Sequence, residues 1–334
     1  MAKPIASHKQ ETSLDGRTVI VTGGNSGLGW EFARQCLILN ATRVIITTRS
    51  EDKGIKAIAA LRADPAVQRN NPTGQLEFFE LDLDDYESGI RFSRRVQEEV
   101  PELGILLCNG GTNSFRYEIS KSGHERIMQV NCYTHFLIVL SLLPLLRHTA
   151  LKRGSPSRVT FLSSYSHISH TLKNSALGSD ESILGFYDNK QNFKGRRHYA
   201  NSKLVVNAFA QRLGNTLAPF EVIVNTVCPG AIKTNLNRSL PYWMAPVMYI
   251  YLKLKARTLH DGGRTLIHAV VCGPESHGKY LQLEEINMCA VSFNARSGAP
   301  FLTGLTGKGY IEKLWNEILE DIIKVDPKLE EIFL

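Results

Sequence analysis

The 334 residues include six cysteines but no CxxC pair, and no His, Cys, Asp and Glu residues cluster at the spacing of a metal site. Cys36, Cys108, Cys132, Cys228, Cys272 and Cys289 stand singly, several of them in apolar runs where free thiols pack as small hydrophobes. Neither disulfides nor a bound metal are expected, and the setting is read as reducing and cytoplasmic. Residues 1–15 are polar, lack the apolar core of a secretory leader, and are expected to be flexible. The longest apolar stretch, Phe136 to Leu146, is too short to span a bilayer and contains Ser141 and Pro144, so it reads as a buried helix rather than a transmembrane segment. Linkers rich in Pro, Gly and Ser are missing, as are repeats of fixed period, so residues 16–334 are read as a single domain. The net charge of +7 is spread along the chain. Its short basic clusters, Arg94-Arg95, Lys152-Arg153 and Arg196-Arg197, are not interleaved with aromatics, which argues against a nucleic-acid partner.

What the chain does have is a regular alternation of elements. Strand-like runs at Val19–Val21, Arg43–Thr48, Leu76–Leu81, Gly104–Cys108, Arg158–Leu162 and Glu221–Val227 alternate with stretches of helical spacing. The helical stretches are Trp30–Leu39, Lys53–Arg62, Tyr86–Val100, Gly123–Arg147 and Tyr199–Leu217. Such alternation predicts βαβ units and a parallel sheet covered on both faces, an α/β fold of the Rossmann-type, doubly wound, three-layer kind. Each strand ends in a conspicuous polar or glycine-rich group, and that edge of a doubly wound sheet forms the ligand crevice.

Two motifs carry the chemistry. Thr22-Gly23-Gly24-Asn25-Ser26-Gly27-Leu28-Gly29 follows a strand and opens a helix. Glycines at 23, 27 and 29 permit a tight turn, close backbone approach to a phosphate, and close packing of helix on sheet. The free N–H groups of the helix N-terminus would then face a pyrophosphate. Tyr199-Ala200-Asn201-Ser202-Lys203 places a phenol and an ammonium one helical turn apart. A nearby cation favours the phenolate, so Lys203 is expected to lower the pKa of Tyr199 from its ordinary value. The second strand runs into Thr47-Thr48-Arg49-Ser50, with no acidic residue before Glu51. A cation at this place accommodates a ribose 2′-phosphate, so NADP(H) is the expected cofactor, with Arg49 on the phosphate.

Taken in order, these residues resemble the short-chain dehydrogenase/reductase family. The matching motifs are the glycine turn, Asp82-Leu83, Asn109-Gly110-Gly111, Asn131, Ser163-Ser164, Tyr199 with Lys203, and Pro229-Gly230-Ala231-Ile232-Lys233-Thr234. They run from about residue 16 to residue 240. Within the family, the wording of the turn, Ser-Ser-x-x-His at Ser163–His167 and the long gap before Tyr199 are most like retinol-dehydrogenase-like and fungal secondary-metabolism reductases. The resemblance implies Tyr199 as general acid/base, Ser164 as hydrogen-bond partner of the substrate oxygen, and Lys203 as holder of the nicotinamide ribose. It further implies Asn131 in a water-mediated proton path, Asp82 at the adenine edge, and Thr234 with the backbone of Ile232 against the nicotinamide and phosphates. Carbonyl reduction wants these groups, because a hydroxyl donor and an acidic phenol stabilise negative charge developing on oxygen and then protonate it. One departure is Cys108, which stands where the family usually has the first Asn of Asn-Asn-Ala-Gly, so a hydrogen bond from that position is absent or replaced. His167 is expected to make a structural hydrogen bond.

The rest is read from composition. Residues 165–198 form a long polar excursion whose ends flank Ser164 and Tyr199, and should line one side of a pocket. Ser239–Lys255 is rich in aromatic residues, Leu, Ile and Met, and lies within a 236–260 segment read as a substrate lid. The alternatives are core packing, a contact in a homodimer, and peripheral membrane contact. Residues 273–334 are read as a C-terminal extension with an amphipathic helix at Tyr310–Ile323. The combined expectation is an NADP(H)-dependent oxidoreductase acting on a small but bulky lipophilic carbonyl or alcohol. An isomerase or cyclase without net redox, and a cofactor-binding protein, are the competing readings. For the cofactor expectation, Arg49→Asp should weaken NADPH binding by tenfold or more while changing NADH little; titration with both dinucleotides checks it, and equal losses would refute it.

Overall fold

The computed structural model describes residues 12–172, 181–233, 256–283, 285–287 and 305–333. The expected apolar runs form β1 (Thr18–Val21), β2 (Arg43–Thr48), β3 (Gln75–Glu80), β4 (Ile105–Cys108), β5 (Ser157–Leu162) and β6 (Val222–Cys228). Two further strands, β7 (Lys279–Gln282) and β8 (Glu285–Asn287), complete a sheet ordered β3-β2-β1-β4-β5-β6-β7-β8. All pairs are parallel except β7 with β8. This is a Rossmann-type doubly wound sheet, and its switch point lies between β1 and β4.

Helices cover both faces. They are α1 (Gly27–Ile38), α2 (Glu51–Arg62), α3 (Pro65–Asn70), α4 (Tyr86–Glu99), α5 (Arg126–Arg153), α6 (Ile183–Asp188), α7 (Arg196–Thr216), α8 (Leu259–Val271) and α9 (Leu305–Val325). The two-residue period of the strands sorts their side chains between two cores. Val19, Val21, Val44, Ile46, Ile105 and Leu107 pack with α1, α2 and α8. Ile20, Ile45, Leu106, Val159 and Phe161 pack with α4, α5, α7 and α9. On the second face Phe136 stacks on Phe209 at 3.8 Å, and Trp315 of α9 lies over Phe209 at 5.2 Å.

Local chemistry sets several boundaries. Asp64 and Asp85 accept backbone N–H groups at the starts of α3 and α4, and Thr258 does so at the start of α8. The long helix starts at Arg126 rather than at Gly123, because the Glu125 carboxyl accepts from the N–H groups of Ile127 (2.9 Å) and Met128 (3.1 Å) and caps it there. It continues past Arg147 to Arg153 and contains a π turn over Gln129–Tyr133. By length and composition α5 would pass for a membrane-crossing helix, but 83% of its most apolar window is buried inside the protein. Periodicity did not mark α3, α8, β7 or β8. Of the segments singled out in the sequence, residues 1–11, 173–180 and 234–255 lie outside the described residues.

One polar cluster ties four distant segments together. His124, just before α5, has Nδ1 2.8 Å from Asp188 at the end of α6 and Nε2 3.1 Å from Asp321 of α9. The Tyr86 hydroxyl also donates to Asp321, at 2.8 Å. Burial works against a charged imidazole, but bonds to the two aspartates outweigh it and raise His124 from 6.5 to about 9. The folded protein therefore holds this proton more tightly than the unfolded chain does. The resulting stabilisation, at most about 3 kcal/mol, is complete below pH 6.5 and is lost as pH rises toward 9. Denaturant titrations of the wild type and His124→Asn at pH 6 and pH 9 should show the difference between them shrink at the higher pH; a constant difference would exclude the charged clamp.

Candidate active site

The turn after β1 is held by the residue that precedes its glycines. The Thr22 hydroxyl accepts from the N–H groups of Asn109 and Gly110, both at 2.9 Å, and lies 2.9 Å from His135 Nε2. Burial, followed by the charge of Lys203, pushes His135 down to about 3, so the ring is neutral and can accept the Thr22 proton. The Asn109 side chain donates to the carbonyl of Thr22 at 2.8 Å. Thr47, at the end of β2, accepts from the N–H of Gly23 at 3.1 Å. Gly23 has φ +65°, a conformation that favours glycine. A Cβ on Gly29 would stand 2.5 Å from Asn109 Nδ2 and 2.8 Å from the Gly23 carbonyl oxygen, so no larger residue fits. Thr22, Thr47 and His135 are supports that motif reading passed over, because a buried hydroxyl or imidazole carries no spacing signal.

Helix α1 opens differently from α3, α4, α5 and α8. Its N-cap, Ser26, makes no side-chain bond to the first turn, which leaves those N–H groups for an anion. Asn25 and Gly27 are half-buried beside the exposed Ser26, while Leu28 is buried and packs with Ile232 against Gly262 of α8. Past β2 lies the exposed Arg49, near enough for its charge to act on Asp82 past β3. Burial raises the Asp82 carboxyl, but a 2.8 Å bond from Lys121 and the nearby cations prevail and lower it. Leu83 is buried over Gly110, where a Cβ would come within 2.4 Å of its Cδ1. Beyond β6, Pro229 and Gly230 lead to Ile232. That strand end is closed by Arg257, which donates its N–H to the Ala231 carbonyl at 2.8 Å and its guanidinium to the Pro229 carbonyl at 3.3 Å. Thr234 lies outside the described residues.

The remaining candidates converge beside this crevice. Ser164, past β5, lies near enough to the Tyr199 phenol to act on its titration and accepts from the N–H (3.1 Å) and hydroxyl (3.0 Å) of Ser166. The Lys203 ammonium donates to the Leu162 carbonyl at 2.8 Å and lies 5.5 Å from the centre of the Tyr199 ring. Asn131, in the π turn of α5, donates to Ser202 Oγ at 2.9 Å and accepts from the N–H of Thr112 at 2.8 Å. His167 is buried, with Nδ1 2.7 Å from the Ser164 carbonyl oxygen. Desolvation dominates the electrostatics. It pushes the Tyr199 phenol above its ordinary value, the Cys228 thiol adds to the rise, and the nearby Ser164 hydroxyl pulls only partly the other way. Desolvation also lowers Lys203 from 10.5 to about 8. The expected lowering of the phenol by Lys203 is not seen in this arrangement, where burial first and the Cys228 thiol next raise it.

The chemistry of this edge fits a dinucleotide, with an uncapped helix start and glycine turn for the pyrophosphate and a carboxylate and a guanidinium at the next two strand ends. Among the described residues no group of three His, Cys, Asp or Glu side chains could hold a metal, and the five described cysteines are free and buried.

Residues 17–174 and 186–245 match the short chain dehydrogenase family. The chain is 50% identical to short chain dehydrogenase sor7 of Hypocrea jecorina, over 87% of this chain and 81% of the relative. It is 35% identical to short chain dehydrogenase macD of Penicillium terrestre, over 92% of each. Among solved structures, the Pseudomonas aeruginosa RhlG/NADP active-site complex aligns with a TM-score of 0.61 at 24% identity, covering 82% of this chain and 97% of that one, which supports the fold. If the turn is built as described, Gly29→Ala should cost about 1–3 kcal/mol by overpacking and raise the Kd for a dinucleotide at least tenfold; thermal melts and fluorescence titration test this, and an unchanged Kd would refute it.

Proposed function

The chain belongs to the short-chain dehydrogenase family, and on that premise we propose an NADP(H)-dependent oxidoreductase with Tyr199 as the general acid/base. The observation that carries this reading is the convergence of Ser164, the Tyr199 phenol and the buried Lys203, whose ammonium lies 5.5 Å from the Tyr199 ring. Gly23, Asn25, Ser26, Gly27, Leu28 and Gly29 would hold the pyrophosphate, with Asn109 and Gly110 behind them. Arg49 would hold the 2′-phosphate, and Asp82 and Leu83 the adenine. Lys203 would hold the nicotinamide ribose, and Pro229, Gly230, Ile232 and Thr234 would lie along the nicotinamide. When bound, the nicotinamide supplies or accepts the hydride.

The protein groups account for the proton. A phenol held above its ordinary pKa is protonated at neutral pH, so Tyr199 is a proton donor there and suits the reduction of a carbonyl. Ser164 offers a second hydroxyl to the same substrate oxygen, where negative charge develops. Asn131 is held by Ser202 and Thr112, which fixes its place beside the tyrosine's helix for the proton path the family resemblance implies. The substrate class, a bulky lipophilic carbonyl or alcohol such as a polyketide, terpenoid, steroid or retinoid-like compound, rests on the apolar composition of residues 239–255. A cytoplasmic location is part of this reading. A homodimer through α7 would have to form around α9, which already packs there.

The test is NADPH oxidation by the purified protein against a panel of bulky apolar and small polar ketones and aldehydes. Turnover of the bulky compounds is expected, falling by at least 100-fold in Tyr199→Phe with NADPH binding retained. Tight NADPH binding without turnover would favour use of the site without net redox, and equal turnover of small polar ketones would remove the lipophilic assignment.

A further inference from the structure

Helix α7, which carries both Tyr199 and Lys203, starts without a capping side chain, since its N-cap is Gly195. Its first turn is held instead from another helix. His198, next to Tyr199, is 1% exposed and has Nε2 3.0 Å from Oε2 of the fully buried Glu125, at ion-pair distance though out of line for a hydrogen bond. The same carboxyl oxygen accepts from the N–H groups of Ile127 and Met128 and so caps α5. One carboxyl therefore caps the helix bearing Asn131 and sits against the imidazole in the first turn of the helix bearing Tyr199. Around the imidazole lie the rings of Phe193, 4.9 Å away, and Tyr187, 6.0 Å away. The Tyr187 hydroxyl is bonded to that of Tyr310 on α9 at 2.9 Å, so the C-terminal helix braces the same turn. Farther along, α5 and α7 meet again where Asn131 donates to Ser202.

We infer that Glu125 and His198 are positioning residues for the reaction. Their contact sets the depth and rotation of the first turn of α7, and so keeps the Tyr199 hydroxyl beside Ser164. A buried imidazole on a buried carboxyl is costly to assemble and is tolerated where a fixed geometry is needed. Misplacement of a reacting group by about 1 Å is enough to cost about 100-fold in rate. This inference rests on the reading of Tyr199 as the acid/base.

The experiment compares wild type, His198→Phe, His198→Gln, Tyr199→Phe and the His198→Phe/Tyr199→Phe double variant. Phe keeps the ring volume and removes the N–H, whereas Gln restores an N–H toward Glu125. His198→Phe should lower kcat by about 10- to 100-fold with KM and the Kd for NADPH within about twofold, and His198→Gln should recover most of the loss. In the Tyr199→Phe background the same substitution should add little, because it acts through the phenol; a general loss of folding would reduce the residual rate in both backgrounds. Hydrogen exchange decides independently of turnover: faster exchange confined to residues 197–203 in His198→Phe supports the inference. Equal exchange there in wild type and variant overturns it. If Tyr199→Phe retains full turnover, the functional reading fails, whatever His198→Phe does to exchange.

Discussion

Because β1 pairs in parallel with β2 on one side and β4 on the other, the crossover from β1 to β2 and the crossover from β3 to β4 lie on opposite faces of the sheet, and a crevice opens between the ends of β1 and β4. The ends of β1 and β4 are tied across that crevice by the Thr22 hydroxyl and the Asn109 amide. The ties hold the glycine turn rigid while the start of α1 remains uncapped. The outer strands then place their terminal residues along one edge, Arg49 and Asp82 on one side, Ser164 and Pro229 on the other.

The second theme is the contest between desolvation and pairing. Lys203 and His135 are buried and Tyr199 is half-buried, all with few charged partners, and each is pushed toward its neutral form. His124 is also buried, yet two aspartates reach it and it is pushed toward the charged form. The difference lies in the number of partners at hydrogen-bond distance, since burial acts in the same direction on every one of these groups. The groups pushed toward neutrality sit at the crevice. The charged one joins α6, α9 and the approach to α5, which frame the helices that carry the crevice residues.

Reading the sequence worked best where one residue type has one physical use. The apolar strands from Val19 to Val227 were legible because a strand buried on both faces must be continuously hydrophobic. The glycine turn was legible because only Gly fits φ +65° at residue 23 and the contact made at residue 29. The start of α5 was misplaced by three residues because Glu125 caps through a bent side chain, a use that Glu does not advertise. Strand β7 was missed because it is four residues long, half of them polar, and is a strand by its pairing with β6 and β8. His124, Thr22, Thr47, Lys121 and the Glu125–His198 pair escaped notice because their partners are distant in sequence.

The order of residue types alone determined the layered α/β architecture and which side chains lie past the ends of the strands, because periodicity and glycine conformation are local properties. Only the tertiary structure decided how those side chains are charged and held. The Tyr199 phenol is raised although Lys203 lies one turn away, because the burial that opposes its charge comes from residues gathered from the whole chain. The first turn of its helix is fixed by Glu125, 73 positions before His198, a contact that no spacing rule encodes.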